Sequence, residues 1–488
     1  MKPVHEVVAC VCDHGLFLPI ALKLGETFKK VFYWSPSDTV LPRIAEGIIG
    51  DGFSEVERVN DVWEVIHQCD CAVFPDIGFH ALQNQIQLIG KPVWGHNGGD
   101  ILEASRGEFL RVLEELGMDI PPYEKFKGLT ALREHLLDKE DKFIKVSKWR
   151  GDWETLHFTN WAQDEVTLDQ YAYRLGPAKE LFTFYVFDKI DTDIEDGCDT
   201  YCIDGQFPSL CLHGIENKDK SYLGAVQDTS ELPEQLREVN EKFAPVLSQF
   251  GYRSFFTSEV RIKDDKSYFI DPTCRAGSPP SQLMTELYTN LADIIWQGAN
   301  GVCIDPKPAG QFGVQALLHT DRDKDEWTVL SLNPDIEQFV KCGFACQIDG
   351  RVCIPPHPLG DQIGWLVATG DTIAETIGNL KDFAAMLPDG ITCELESLSH
   401  LLIEAEKAKD EGGMVPKGQA IPTNEEKEEG QMVMIHTAHI WREPDGSIHV
   451  RLPPQAAPWT DEGEKGIIEV NGHEEEMTIH IEREWPNN

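Results

Sequence analysis

Over its first hundred residues the chain alternates short apolar runs with segments of helical periodicity, and this alternation constrains the fold more than any other feature. Residues 7–12 read as a buried strand, 16–24 as a helix and 30–34 as a second strand. Residues 62–68 are helical, 71–75 a strand, 81–89 a helix and 92–94 a strand. Strands separated by helices are joined by right-handed crossovers and pair in parallel. No glycine-rich dinucleotide fingerprint follows the first strand, because Cys12-Asp13-His14-Gly15-Leu16 stands where G-x-G-x-x-G would.

The pattern then changes. A helix over 107–117 places Phe109, Val112, Leu113 and Leu116 at spacings of three and four and stops at Gly117. After Pro121-Pro122, a helix at 131–137, strands at 143–146 and 181–187 and a strand-like return between them predict a small α+β lobe. Strands follow at 200–203, 208–213, 254–262 and 267–270, then one long amphipathic helix over 283–299. Residues 314–318 and 364–368 read as strands, and 373–386 and 398–409 as helices. From 416 to 430 the chain is polar, with the run Glu-Glu-Lys-Glu-Glu, and reads as a linker. Three strand-like runs close the sequence, at 433–441, 447–452 and 477–481, the first two joined through Pro444-Asp445-Gly446 as a hairpin. The tail is a small β module or an interaction arm.

The 488 residues carry 43 Lys and Arg against 83 Asp and Glu, a net charge of −40. Such a chain repels phosphate backbones and anionic membranes, which disfavours nucleic acid and membrane surfaces as partners. No run reaches the length of about 18 apolar residues that a membrane span needs, and the N-terminus has no signal-peptide pattern. The 13 cysteines sit mostly in apolar runs, which predicts reduced core cysteines and a cytoplasmic location. Cys69-Asp70-Cys71 could be half a metal site, but no matching cluster follows it in the sequence.

Chemistry concentrates in a predicted hairpin. Phe255–Ile262 and Ser267–Gly277 carry acidic residues at Glu259 and Asp271, which pairing across the hairpin can set side by side on one face. Two like charges in a mostly apolar sheet are costly unless a cation lies between them. Hard oxygen ligands of this kind suit Mg²⁺ bridging to substrate phosphates, and Arg275 stands four residues on to meet a phosphoryl group. Two solvent-facing carboxylates on a surface hairpin would carry the same pattern. A second candidate is Phe143-Ile144-Lys145-Val146, where a lysine inside an apolar strand must snorkel or meet an anion. The stretch Lys148-Trp149-Arg150-Gly151-Asp152-Trp153-Glu154-Thr155 after it has the makings of a phosphate-covering loop, or of an ordinary solvated turn. The histidines, including His14 and His96 at predicted strand ends, form no pattern that demands a catalytic role.

Taken together, the pieces resemble an ATP-grasp ligase, most closely the phosphoribosylamine–glycine ligase (glycinamide ribonucleotide synthetase) branch. Gly90-Lys91-Pro92-Val93-Trp94-Gly95, Glu103-Ala104-Ser105-Arg106 and Leu116-Gly117-Met118-Asp119-Ile120-Pro121 resemble the segments that open that region. Residues 143–146 resemble its V-V-K strand. Ile270-Asp271-Pro272-Thr273-Cys274-Arg275-Ala276-Gly277-Ser278-Pro279 resembles the metal-binding L-E-F-N-x-R-F-G-D-P, and residues 364–373 resemble the start of its small C-terminal domain. The resemblance spans about residues 1–413. It implies an N-terminal parallel-sheet domain (1–105), an ATP-grasp domain (106–300) with a mobile α+β lobe at about 119–187, a small C-terminal domain (301–415) and an acidic, β-rich tail (416–488).

The resemblance also assigns roles. Lys145 and Arg106 would contact ATP phosphates, and Arg150, Gly151 and Thr155 would belong to the covering loop. Residues 186–190, with Asp188, Lys189 and Ile190, would form the hinge beside adenine, and Glu195 would contact the ribose or adenine. Glu259, Asp271 and Thr273 would bind Mg²⁺, with Mn²⁺ as a substitute, while Arg275 and Lys145 would act on the transferring phosphoryl group. Asp271 and Thr273 replace the usual Glu and Asn. The glycine-rich phosphate motif is missing around 13–16, and Gly214-Ile215-Glu216-Asn217-Lys218-Asp219-Lys220 only loosely resembles D-H-K-R. These departures argue against phosphoribosylamine as the amine. The implied activity joins a small-molecule carboxylate to an amine through an acyl phosphate, releasing ADP and phosphate. The alternative is an inactive nucleotide-binding scaffold or sensor. Either leaves room for a homo-oligomer.

Overall fold

Five parallel strands form the first layer, in the order β3-β2-β1-β4-β5. They are β1 (Val8–Cys12), β2 (Lys30–Trp34), β3 (Glu57–Arg58), β4 (Cys71–Val73) and β5 (Val93–Trp94), interleaved with α1 (Leu18–Gly25), α2 (Val62–Val65) and α3 (His80–Leu88). Alternation along β1 sends Ala9 and Val11 into one hydrophobic core and Cys10 and Cys12 into another. The sheet is therefore covered on both faces, as a parallel sheet requires. Helices α4 (Ile101–Ala104) and α5 (Arg106–Glu115) lead out of this layer.

The lobe contains β6 (Tyr123–Lys127), α6 (Leu129–Leu136), β7 (Glu140–Val146), β8 (Thr155–Asn160), α7 (Trp161–Leu175) and β9 (Thr183–Asp188). Its antiparallel sheet runs β6-β9-β7-β8 over a core of its own. The expected strand-like return is β8, antiparallel to β7, and it is followed by α7, which was not expected. Asn160 caps it by accepting from the Gln163 N–H, and Leu168, Tyr171 and Leu175 bury one face.

The largest sheet has nine strands and is antiparallel throughout. It collects β10 (Ile194–Ile203), β11 (Leu210–Asn217), β12 (Ser221–Asp228), β13 (Arg253–Lys263), β14 (Lys266–Thr273), β15 (Phe312–Thr320), β17 (Val340–Lys341), β20 (Gln362–Gly370) and β21 (Ile391–Cys393). Helix α8 (Glu234–Gln249) presents Leu236, Val239, Phe243 and Leu247 to the core, and deleting the Phe243 ring should cost about 3–5 kcal/mol. The expected single helix over 283–299 is two, α9 (Ser281–Leu287) and α10 (Leu291–Ala299). The break has a clear cause. Tyr288 bridges to Pro308, and Asn290 accepts from the Lys307 N–H at 2.7 Å and donates to the Asp305 carbonyl at 3.0 Å. Almost every residue of both helices is buried, so neither has a solvent face. A small sheet of β16 (Thr328–Leu330), β18 (Cys346–Ile348) and β19 (Arg351–Ile354), with helix α11 (Ile373–Ala384), completes this part.

The computed structural model describes residues 1–36, 46–147, 155–190, 194–263, 266–323, 325–399, 401–402 and 405, with backbone alone for 46 and 194–196. Of the tail it describes the backbone of β22 (His439–Arg442), β23 (Ile448–Arg451), β24 (Glu464–Val470) and β25 (His473–Glu482). Arg150, Gly151, the 416–430 segment and the Pro444-Asp445-Gly446 turn lie outside the described residues. Contacts divide the chain into two units, Met1–Ile421 and Pro422–Asn488. In the second, β22 and β23 are antiparallel neighbours and β25 joins β23 in parallel. Its β24, antiparallel to β25, was not expected from the sequence. Among the described residues no disulfide joins any of the 13 cysteines, and no helix is long and apolar enough to cross a membrane.

Candidate active site

In the β13–β14 ladder Glu259 lies directly opposite Asp271, with a bulge between Glu259 and Val260. The expected side-by-side placement of the two carboxylates is thus present. A bulge re-aims the side chains beside it and twists the strand. Thr273 pairs with Thr257 two residues further along.

Two elements converge on Asp271. Arg106, the first residue of α5, donates through one guanidinium nitrogen to the Ile270 carbonyl at 2.8 Å and through another to Asp271. Lys145 reaches the other Asp271 oxygen from β7 of the lobe. Both cations are only 7% exposed, so each needs an anion. Burial alone would push the Asp271 pKa up, but Arg106 and Lys145 outweigh it and hold the carboxyl well below the ordinary carboxylate range. The Asp271 side chain remains 30% exposed, so a ligand can reach it.

Beside this cluster lies a slot of about 220 Å³. Its apolar walls are Phe143 and Phe187 from the lobe, Phe269 from β14, and Leu110 and Leu113 from α5. Asp188 and Ile190, at the end of β9, close one side, and Arg106, Lys145, Glu259 and Asp271 form the polar end. A larger cavity of about 660 Å³ adjoins it, and Thr155 and Lys218 line both. Thr155 is fixed by its pairing with Lys145 across β7 and β8. Lys218, in the turn after β11, was not singled out from the sequence. Desolvation would lower its pKa, but Glu259, Glu216, Asp271 and Asp219 raise it, so it stays a cation.

Arg275 lines the larger cavity rather than the slot. Its Nε donates to Glu103 at 3.0 Å, and the Cys274 N–H donates to the other oxygen of Glu103 at 2.6 Å. Glu103, on α4, has a side chain only 1% exposed. It sits inside a quoted motif, yet a lone glutamate there gave no sign of its partner. The adjacent Ala276 N–H donates to the Pro75 carbonyl at 2.8 Å, docking the hairpin end onto the parallel sheet.

The remaining expected residues scatter. Asp188 pairs with Lys142 beside the slot, and Lys189 points to Asp141 at 3.4 Å. Thr273 lines neither cavity. Glu195 is placed only by its backbone, on β10 opposite Arg261. The histidines at strand ends have structural partners: His14 pairs with Asp76 at 3.0 Å and His96 with Asp100 at 3.2 Å.

The donor set can be tested against Mg²⁺. That ion usually takes one or two protein carboxylates and completes its shell with water and phosphate oxygens. Glu259 and Asp271 meet this requirement. Among the described residues, no group of three or more His, Cys, Asp or Glu could hold a metal. Cys69 follows the same logic: it lies in one core with Cys10 and Cys12, and burial pushes its thiol up to about 12, which suits a core cysteine rather than a ligand.

No protein-family model matches the chain, and no curated protein matches it. Solved structures do. Phosphoribosylamine–glycine ligase from Thermotoga maritima superposes with a TM-score of 0.60 at 15% identity, covering 79% of this chain and 99% of that one. L-amino acid ligase from Bacillus licheniformis gives a TM-score of 0.53 at 15% identity, with coverage of 79% and 99%. Biotin carboxylase from Campylobacter jejuni, solved with a β,γ-ATP ligand, gives 0.53 at 14% identity, with coverage of 83% and 96%. The chain has the fold of the ATP-grasp ligases.

Proposed function

We propose that this chain uses its ATP-grasp fold to ligate a small-molecule carboxylate to an amine. The observation that carries the reading is the convergence of Lys145, Arg106, Glu259 and Asp271 at the polar end of an apolar slot that shares Thr155 and Lys218 with a larger cavity. A purine fits between Phe143, Phe187 and Phe269, with the 188–190 backbone at its edge. Its phosphates then lie toward Lys145 and Arg106, with Thr155 lining the same slot.

The carboxylate substrate enters the larger cavity and attacks the γ-phosphorus. The bond to the β-phosphate oxygen breaks, ADP leaves and an acyl phosphate forms. The amine then attacks the acyl carbon, and phosphate departs as the amide forms. Lys145 and Lys218 offset the charge that develops on the transferring group, and Arg275, oriented by Glu103, holds the acyl phosphate. Glu259 and Asp271 would hold Mg²⁺, or Mn²⁺ in its place, with Thr273 the weakest candidate. Bound there, the ion supplies charge neutralisation on the phosphates. The lobe excludes water that would hydrolyse the acyl phosphate.

One observation favours a second reading. Both oxygens of Asp271 are taken by cations, an arrangement that also suits a nucleotide-binding scaffold without turnover. ATP consumption with Mg²⁺ across a panel of acids and amines separates the two. Substrate-dependent release of ADP and phosphate supports ligation, release of AMP and pyrophosphate overturns it, and ATP binding without turnover supports the scaffold.

A further inference from the structure

The larger cavity has two kinds of lining. Lys218, Arg275, Gln282 and Lys341 are among its polar residues, and Leu16, Phe344, Leu359 and Trp365 among its apolar ones. Such a cavity is far larger than the smallest amino acid fills, and pockets of about 300–1,000 Å³ hold whole drug-sized ligands.

The apolar side is held in place at a cost. Phe344 has φ of +51°, the left-handed region that a bulky side chain rarely adopts. Its N–H donates to the Gly15 carbonyl at 2.8 Å. Its ring stacks on His357 at 5.0 Å with the planes 5° apart. Burial pushes the His357 pKa below its ordinary value, which keeps this partner neutral. Trp365 is fixed within β20, paired with Leu317 and Lys341, and its Nε1 donates to Ser278 Oγ at 3.3 Å. A glycine would accept the backbone conformation at position 344 without strain. Strain retained beneath an aromatic ring in a cavity wall marks a preorganised contact surface.

We infer that the carboxylate substrate carries a large apolar side group, aliphatic or aromatic, which packs on the Phe344–Trp365 wall while its carboxylate faces Lys218 and Arg275. The inference rests on the ligation reading for the identity of the cavity. The polar side fixes the reacting end near Thr155 and Lys218, where cavity and slot meet, and the apolar side selects the other end. One methylene in an apolar pocket changes discrimination by about tenfold or more, so a whole wall should separate small from large acids clearly.

The test uses the full chain with Mg·ATP and hydroxylamine, which replaces the amine and traps the acyl phosphate as a hydroxamate. The acids are glycine, L-leucine, L-phenylalanine, acetate, 4-methylpentanoate and 3-phenylpropanoate. Binding of each is measured separately by calorimetry with Mg·ADP. Large acids should bind at least about tenfold more tightly than their small counterparts. Phe344→Gly, matched to the backbone conformation, and Trp365→Leu should each reduce that ratio at least about fivefold. Binding with this dependence but no hydroxamate upholds the apolar specificity and overturns ligation. Hydroxamate from glycine or acetate with no gain for large acids upholds ligation and overturns the specificity. A preference for large acids that survives both variants, or no acid binding at all, also overturns it.

Discussion

Lys145 on the lobe sheet and Asp271 on the nine-stranded sheet form a partly buried ion pair that joins the two sheets at the candidate site. Arg106 completes the cluster from a helix start, so one carboxylate balances two nearly buried cations. Removing it takes a charged partner from both. Asp271→Ala should therefore abolish ADP release, by about 10²-fold or more, and destabilise the fold by about 3–5 kcal/mol. Asp271→Asn should lose turnover equally and unfold at a higher temperature than the alanine variant, because its oxygen still accepts from one cation. Thermal unfolding and ADP release check both. The depressed pKa gives stability that is fully present above the ordinary carboxylate value near 3.9 and lost as pH falls through the lower folded value. This pair should thus add no slope between pH 5 and 8. Full ADP release by Asp271→Ala would end the assignment.

Much of this cluster was legible because local chemistry signals itself. A lysine in an apolar strand and two carboxylates twelve residues apart across a hairpin are costly arrangements that call for partners, and the register sets Glu259 opposite Asp271. Arg106 came only from the resemblance, since an arginine at a helix start is otherwise unremarked. Lys218, Phe344 and Trp365 were missed as site residues because their neighbours are distant in sequence. Helix α8 was also missed, although Leu236, Val239, Phe243 and Leu247 keep the helical spacing. Polar residues dilute that stripe, and its burial depends on the sheet beneath it. The break between α9 and α10 is tertiary in origin, imposed by residues 305–308.

Glu103 is a positioning residue for Arg275. Its carboxylate binds the Arg275 Nε and the Cys274 N–H together, which fixes the end of the hairpin. Glu103→Gln keeps an acceptor but removes the charge. It should destabilise by about 2 kcal/mol and lower kcat by as much as about 10²-fold, since small misplacements at a reacting centre are costly. The KM for ATP should change little, because the slot is built from other residues. A rise in that KM without loss of kcat would contradict the role.

Gly15 controls Phe344 from the opposite segment. Its φ is +110°, and a Cβ there would stand 2.7 Å from Phe344 Cδ1 and 3.3 Å from Ile49 Cδ1. Gly15→Ala is therefore expected to strain its own backbone and displace the aromatic ring, lowering stability by about 1–2 kcal/mol. In the Gly15→Ala, Phe344→Gly double variant, referred to Phe344→Gly alone, the ring clash is gone and the backbone cost and the Ile49 contact remain. Chemical denaturation measures the loss caused by Gly15→Ala in each background, and equal losses would show that the ring does not press on Gly15.

Asp13 supplies a pH dependence of known sign. It is fully buried after β1, and one of its oxygens accepts from the Gly15 and Phe17 N–H groups and the Tyr33 hydroxyl. Its other oxygen, Oδ1, has no partner among the described residues. Burial, reinforced by Asp76, raises its pKa to about 7 against the opposing pull of His14 and the donors. Between about pH 4 and pH 7 the unfolded chain has released this proton while the folded chain holds it, so stability falls as pH rises through that window. Asp13→Asn keeps one acceptor for the three donors and cannot ionise. Denaturant unfolding of wild type and variant at pH 4.5, 6 and 7.5 should show the variant's stability gaining on the wild type at each step upward. A constant difference across the three values would mean that Asp13 is ionised throughout.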